Sequence, residues 1–186
     1  AVSLWDIEHL VLQTFPQVYK VKCLNHTCSS SFLSPGHLMV LVIPDTINKN
    51  VYDIFKPTFS AAKLNEIASF LAEKAAPRLA IKVVNPLYEE VRVRLQVTFY
   101  PGLDKAFFMN QLEEDIINYL SPWTSGEKLA IDFNSHFNKS SLVYFIEKLS
   151  YVDFIQEPRI FRNNVEMGKN ILPSSPMHVL VAAKSH

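Results

Sequence analysis

Val91-Arg92-Val93-Arg94-Leu95-Gln96-Val97-Thr98-Phe99 alternates without a break. Val91, Val93, Leu95, Val97 and Phe99 share one side; Arg92, Arg94, Gln96 and Thr98 share the other. Successive side chains on a strand point to opposite faces, so this stretch predicts an antiparallel strand with one buried face. Pro101-Gly102 turns the chain after it, and Asp104 is placed to cap a helix that runs to about Leu120. Phe108, Leu112, Ile116, Tyr119 and Leu120 form the apolar side of that helix, and Glu113-Glu114-Asp115 read as a solvated face. The helix stops abruptly at Ser121-Pro122-Trp123. A further helix over about 139–149 carries Leu142, Phe145, Ile146 and Leu149. Strands are expected at 152–155 and 178–183, with 163–176 as a long irregular loop between them.

Working back towards the N-terminus, Asn85-Pro86 reads as a domain junction, because the residue before proline is forced extended. Ahead of it, Ser3 with Asp6 makes an acidic variant of the capping box, and a helix to about Phe15 ends at Pro16. Residues 18–24 alternate, with Val21 and Cys23 on one face. The Ser-rich stretch 27–35 is turn-like, and Gly36 opens a second strand, 37–43, closed by Pro44. Residues 45–59 form a loop containing Tyr52, Ile54, Phe55 and Phe59. After Ser60, a helix with Leu64, Ile67, Ala68 and Leu71 at helical spacing is stopped by Pro77, and 79–84 is a strand. The expected fold is therefore α+β: two small α/β sandwich domains, ferredoxin-like or related, with mainly antiparallel sheets. The domains are expected at 1–85, in the order αββαβ, and 86–186.

The bulk chemistry narrows the function classes. Lys+Arg and Asp+Glu are 18 each, so the formal net charge is zero and no global field draws nucleic acid or an anionic membrane. Hydrophobic residues make up 48% and charged residues 19%, enough for a real core. Aromatics stand at 12%, which suits either a Phe-rich core or a surface that a partner buries. No apolar run reaches the ~18 residues a membrane helix needs, and no signal peptide opens the chain. The lack of an initiator Met is read as the mark of a piece of a longer protein. Two cysteines exclude a disulfide-rich scaffold. The sequons at Asn25 and Asn138 are too short to carry weight.

Glycine supplies the sharpest exclusion. Gly36, Gly102, Gly126 and Gly168 are far apart. A P-loop, a dinucleotide-binding turn and a nucleophile elbow each need glycines close together, because backbone amides crowd a phosphate or oxyanion only where Cβ is missing. Cys23, His26 and Cys28 are the metal candidates, but their spacing is not that of a common zinc knuckle and no second pair follows, so two free thiols are expected. His136, in Asp132-Phe133-Asn134-Ser135-His136, is the catalytic candidate. Glu89 with Glu90, or Glu113 with Glu114, could supply paired carboxylates if the fold brought them near others. A ferredoxin-like nucleic-acid-binding module would need a basic, aromatic sheet face. Arg92 and Arg94 could contribute to one, but Glu89 and Glu90 dilute them.

Residues 85–93, Asn-Pro-Leu-Tyr-Glu-Glu-Val-Arg-Val, then Gln96-Val97-Thr98-Phe99, resemble the C-terminal region of bacterial baseplate J-like proteins. So do Asn110-Gln111-Leu112-Glu113-Glu114-Asp115-Ile116, Tyr119-Leu120-Ser121-Pro122-Trp123 and 140–147 with Val152-Asp153. The closing stretch 178–183 and the opening Trp5-Asp6-Ile7-Glu8, Phe15-Pro16 and 20–24 continue the resemblance. It implies a structural role in the baseplate wedge of a contractile phage tail or related injection system. It implies no catalysis and no cofactor. Other wedge, hub or sheath proteins would be the partners, with no small-molecule substrate, nucleic acid or membrane, and the location would be cytoplasmic, in an assembled particle. Asn85, Pro86, Glu90, Pro122 and Trp123 would then be architectural. The alternatives are a carboxylate- or His-dependent hydrolase and a nucleic-acid-binding module.

Each half carries helices and strands of its own for a core, so the chain is expected to fold by itself. Limited proteolysis should leave a stable remnant; digestion to small fragments throughout would refute this.

Overall fold

The computed structural model describes residues 3–46, 53–75, 79–125, 133 and 136–186. The chain divides into two compact units, Ala1–Leu87 and Tyr88–His186.

In the first unit, helix α1 (Leu4–Thr14) opens with a complete capping box. The Ser3 hydroxyl accepts from the Asp6 amide at 3.1 Å, and the Asp6 carboxylate accepts from the Ser3 amide at 2.7 Å. Such a cap is worth about 1 kcal/mol. Strand β1 (Val18–Asn25) pairs antiparallel with β2 (His37–Pro44), and β2 pairs parallel with β3 (Ala80–Val84). Helix α2 (Ala61–Lys74) makes the crossover between β2 and β3. The sheet order β1-β2-β3 makes β2 central, and every residue of β2 after His37 is buried. Leu38, Val40 and Val42 pack into a core with Ile7 and Val11 of α1 and Ile67 and Leu71 of α2. Met39, Leu41 and Ile43, facing the other way, are equally buried. A strand buried on both faces needs a continuous apolar run, which is why 37–44 does not alternate.

Free sheet edges need cover, and here a side chain gives some. The Cys23 amide of edge strand β1 donates to Glu8 Oε1 of α1 at 2.8 Å. Helix α2 ends at Lys74 with Ala75 as its cap; Pro77, expected to stop it, lies outside the described residues, as does Tyr52.

The second unit is built on β4 (Leu87–Phe99). Its four-stranded sheet runs β7-β6-β4-β9, with β6 (Val152–Arg162), β7 (Val165–Met167) and β9 (His178–Ala182). Helix α3 (Lys105–Leu120) turns its Leu112, Ile116 and Leu120 inward, and α4 (Lys139–Glu147) buries Leu142 and Ile146. Asp104 caps α3, accepting from the amides of Ala106 and Phe107. A single 3-10 turn, Pro122–Ser125, follows α3. A small ribbon pairs β5 (Phe137–Asn138) with β8 (Asn170–Ile171). The alternation of β4 is real: Val91, Val93 and Phe99 are buried, while Arg94, Gln96 and Thr98 are exposed.

The expected irregular loop at 163–176 is corrected, because it contains β7 and β8. Asn163 and Asn164, at φ 46° and 68°, form a tight turn between β6 and β7. Asparagine is one of the few residues that enters the left-handed region readily. Strand β6 also runs well past Ile155. Pro158 suggests a break but falls at a bulge, where the pairing with β4 slips between Arg94↔Arg159 and Gln96↔Gln156 and Glu157 has φ 46°. A proline at a bulge removes no ladder hydrogen bond. The acidic triplet of α3 is not a plain solvated face either. Tyr151 Oη donates to Asp115 at 2.5 Å, the His186 amide donates to Glu113 at 3.0 Å, and Glu114 is the exposed member.

Glu89 occupies the buried side of β4, 3% exposed, where the alternation calls for an apolar residue. A buried carboxylate is tolerated only when hydrogen bonds and a counter-charge replace water. Glu89 accepts from the Ser174 amide at 2.8 Å, from the Ser174 hydroxyl, and from Asn163 Nδ2 at 3.4 Å. Arg162 Nε stands 3.9 Å away, and its Nη1 donates onward to the Leu172 carbonyl. One side chain thus ties the β6–β7 hairpin and the 172–174 segment to the central strand. Glu89→Ala is expected to cost about 3 kcal/mol, and Glu89→Gln less. Chemical denaturation measures this, and proteolysis of the alanine variant should begin within 163–176. An unchanged denaturation midpoint would remove Glu89 from this role.

Candidate assembly surfaces

The metal candidates are not brought together. Cys23 lies in the core of the first unit, and burial, then the Glu8 carboxylate, pushes its thiol up to about 12. His26 is exposed at φ 53°, at the end of β1. Cys28 lies in the serine turn, with Sγ 3.4 Å from Ser30 Oγ and 3.2 Å from Ser34 Oγ. Among the described residues, no three His, Cys, Asp or Glu side chains group as a metal site.

The catalytic candidates are separated as well. Glu89 and Glu90 are neighbours on a strand and so point to opposite faces. The Glu90 backbone exchanges hydrogen bonds with Asn163, whose amide donates to the Glu90 carbonyl at 2.9 Å. His136 is exposed; Asp132, Asn134 and Ser135 lie outside the described residues. A groove of about 250 Å³ runs between β4 and α3, lined by Val93, Leu95, Val97, Met109, Leu112 and Glu113, among others. His186 also lines it. The Val93 amide donates to His186 Nδ1 at 3.1 Å, and burial holds the His186 imidazole down at about 4. The Glu113 carboxylate already accepts the His186 amide.

The architectural candidates have definite packing roles. Asn85 mimics a strand residue: its Oδ1 accepts from the Phe59 amide at 2.8 Å, and its Nδ2 donates to the Phe59 carbonyl at 2.9 Å. That fixes the segment ahead of α2 against the end of β3. Pro86 is buried beside it. Pro122 opens the turn after α3, and Trp123 within that turn is 6% exposed. Ser121, fully buried, accepts the Thr124 amide on its carbonyl, and its hydroxyl accepts the Ala182 amide of β9 at 2.7 Å.

The surface carries the more informative pattern. Trp5, Phe107 and Tyr144 are 63%, 59% and 61% exposed. Trp5 stacks on His9 with centroids 3.7 Å apart, and Phe107 meets Phe108 edge-on at 5.1 Å. On the second unit, the outward side of β4 and its neighbour β6 form a continuous face. Cross-strand partners share a face, so Arg92 lies with Phe161, Arg94 with Arg159, Gln96 with Gln156 and Thr98 with Phe154. Arg94, Gln96, Thr98, Phe154, Gln156 and Arg159 are exposed. The Arg94 guanidinium lies over the Phe161 ring, 5.0 Å from its centroid. The strand expected at 152–155 stops short of Arg159, which lies in the second half of β6 beyond Pro158. The signal was present in the renewed alternation of Arg159, Phe161 and the Asn163-Asn164 turn.

The sequence model of the family described as "Baseplate protein PVC11-like" matches residues 1–177. The chain belongs to the PVC11-like baseplate protein family. The PVC11-like chain also shares its fold with a chain in the cryo-EM structure of the anti-feeding prophage (AFP) baseplate, 6-fold symmetrised. That superposition has a TM-score of 0.76 at 16% identity, and covers 99% of this chain and 38% of the other. The present chain therefore spans well under half the length of that relative. Among curated proteins, no sequence matches it. Membership in a baseplate family is consistent with the resemblance carried by 85–99, 110–123 and 140–153, and favours neither the hydrolase nor the nucleic-acid reading. Among the described residues, no helix is long and apolar enough to cross a membrane.

The two thiols of this PVC11-like chain should behave oppositely. Hydrogen bonds from Ser30, then Ser34, hold the Cys28 thiol down at about 6. The thiolate is the nucleophile, so alkylation of Cys28 should rise with pH and reach half its plateau rate near pH 6. Cys23 should stay unmodified until the chain unfolds. Mass spectrometry of iodoacetamide-treated protein across a pH series checks both. Equal labelling of the two residues at neutral pH would contradict the assignment.

Proposed function

We propose that this chain is a structural segment of a baseplate protein in a contractile, phage-tail-like injection machine, and that it works by assembly with neighbouring wedge, hub or sheath proteins. The observation that carries the proposal is the baseplate family's match over nearly the whole chain. Two features of the molecule agree with it. Large aromatic side chains stand in water on both units: Trp5 on the first, Phe107, Tyr144 and Phe154 on the second. Aromatic residues are enriched where protein surfaces meet. The polar side chains of the strands, in turn, are used to fasten one segment of the fold to another, as Glu89 and Asn85 do, and not to converge on a cavity.

The units 1–87 and 88–186 act as separate modules in this reading, each offering its own surface to a neighbour. The chain is held to be non-catalytic and without a cofactor, and its place is the assembled particle. By itself it should associate weakly or not at all in dilute solution, since its contacts are made with other components.

A pull-down of the tagged full-length parent from the bacterium that produces it, followed by mass spectrometry, tests the proposal. Sheath, tube, spike or other wedge proteins in the eluate are the expected result. Reproducible recovery of metabolic enzymes or nucleic acid, or of no particle component, would overturn it.

A further inference from the structure

We infer that the open face of β4 and β6 docks an acidic surface of a neighbouring baseplate protein. This deepens the structural reading above and rests on it. The inference comes from a conflict within the fold. Arg94 and Arg159 stand directly opposite each other on adjacent strands, and like charges in that position are destabilising. Arg92 follows on the same face two residues along β4. Among the described residues, no carboxylate comes within ion-pair distance of Arg94 or Arg159. The acidic side chains of this face, Glu90 on β4 and Glu166 on β7, lie at its Arg92 end, whereas Arg94 and Arg159 set two cations directly together, a repulsion that a partner's carboxylates would resolve.

The neighbouring side chains suit a protein contact. Phe154 is 43% exposed on this face, and Gln96 and Gln156 offer hydrogen bonds beside it. The Arg94 guanidinium sits over the Phe161 ring, and a cation–π contact of this kind lowers the entropy lost when that group binds. Arginine and aromatic side chains are the residues that most often dominate binding energy. A second copy of the chain is a poor occupant, because face-to-face pairing would set arginine against arginine. Nucleic acid is also disfavoured. Phe161 is already covered by Arg94, and Glu166 sits across from it on β7, beside the path a phosphate backbone would take.

The test uses particles purified from the producing bacterium, with Phe154 of the full-length parent replaced by a photo-reactive benzoylphenylalanine. Irradiation should give an adduct to a segment of another particle protein rich in Asp and Glu. The double variant Arg94→Glu/Arg159→Glu should lower the adduct yield by about tenfold or more, the loss of a single strong contact. The thermal midpoint of the chain guards against misfolding. The single variant Arg159→Glu places a carboxylate opposite Arg94, so it should melt no lower than the native chain while also losing the adduct. Adducts to nucleic acid, to a second copy, or to a segment poor in carboxylates would overturn the inference. So would a yield that survives charge reversal, or no adduct from a chain that is present in the particle. If the chain is missing from the particle altogether, the baseplate reading fails first and this one with it.

Discussion

A side chain on an extended strand has only two directions open to it, and β4 commits both. Inward, Val91, Val93 and Phe99 are buried, with Val93 beside Leu112 and Ile116 of α3 and the Phe99 ring 6.3 Å from that of Phe108. Outward, Arg92, Arg94, Gln96 and Thr98 face away from that core. A one-residue slip would exchange the two sets, driving guanidinium groups into the core. The register is therefore held by the cost of burying charge, which far exceeds any local backbone preference. Glu89 sharpens this. It is the one carboxylate on the inward side of β4, and its acceptor sites match Ser174, Asn163 and Arg162 only in the observed register.

The same logic orders the first unit with different materials. Strand β2 has no polar face to protect, since it lies between β1 and β3 and is covered on both sides. Its register rests instead on its neighbours. The antiparallel pairing with β1 is continuous from Lys20↔Ile43 to Asn25↔Leu38, and Asn85 fastens the segment before α2 to the end of β3. The polar groups at the seams are few, and each closes a specific gap: Glu8 on the edge of β1, Asn85 beside Phe59, Ser121 beneath Ala182.

Local rules explain which parts were legible. The capping box at Ser3, the apolar run 37–44 and the alternation of 91–99 each have a cause within a few residues, so each could be read directly. Pro158 misleads because its effect depends on what lies across the strand: opposite a bulge it removes nothing, opposite a regular pair it would end the ladder. Glu113 and Asp115 fall in the same class. Three acidic residues in a row read as a solvated helix face until Tyr151 and His186, far along the chain, supply donors. Cys23 and Cys28 show the complementary case. Five residues apart, they differ in fate because one sits on the core side of a strand and the other in a turn. The pairing that matters most for assembly, Arg94 with Arg159, is a contact between residues distant in sequence, and no composition count can reveal it.

A fold that leaves arginines opposed on an open face gives up some stability of the free chain. Nothing in the core demands this, since either position would accept a neutral polar residue without touching the buried side. The repulsion is useful where specificity matters more than stability. It discourages the face from meeting another copy of itself, and it favours surfaces whose carboxylates fit the spacing of the guanidinium groups. In an assembly built from repeated parts, a surface that refuses its own kind restricts the order in which parts join. The buried side of β4 fixes the fold, and the charge on its open side restricts what the fold accepts.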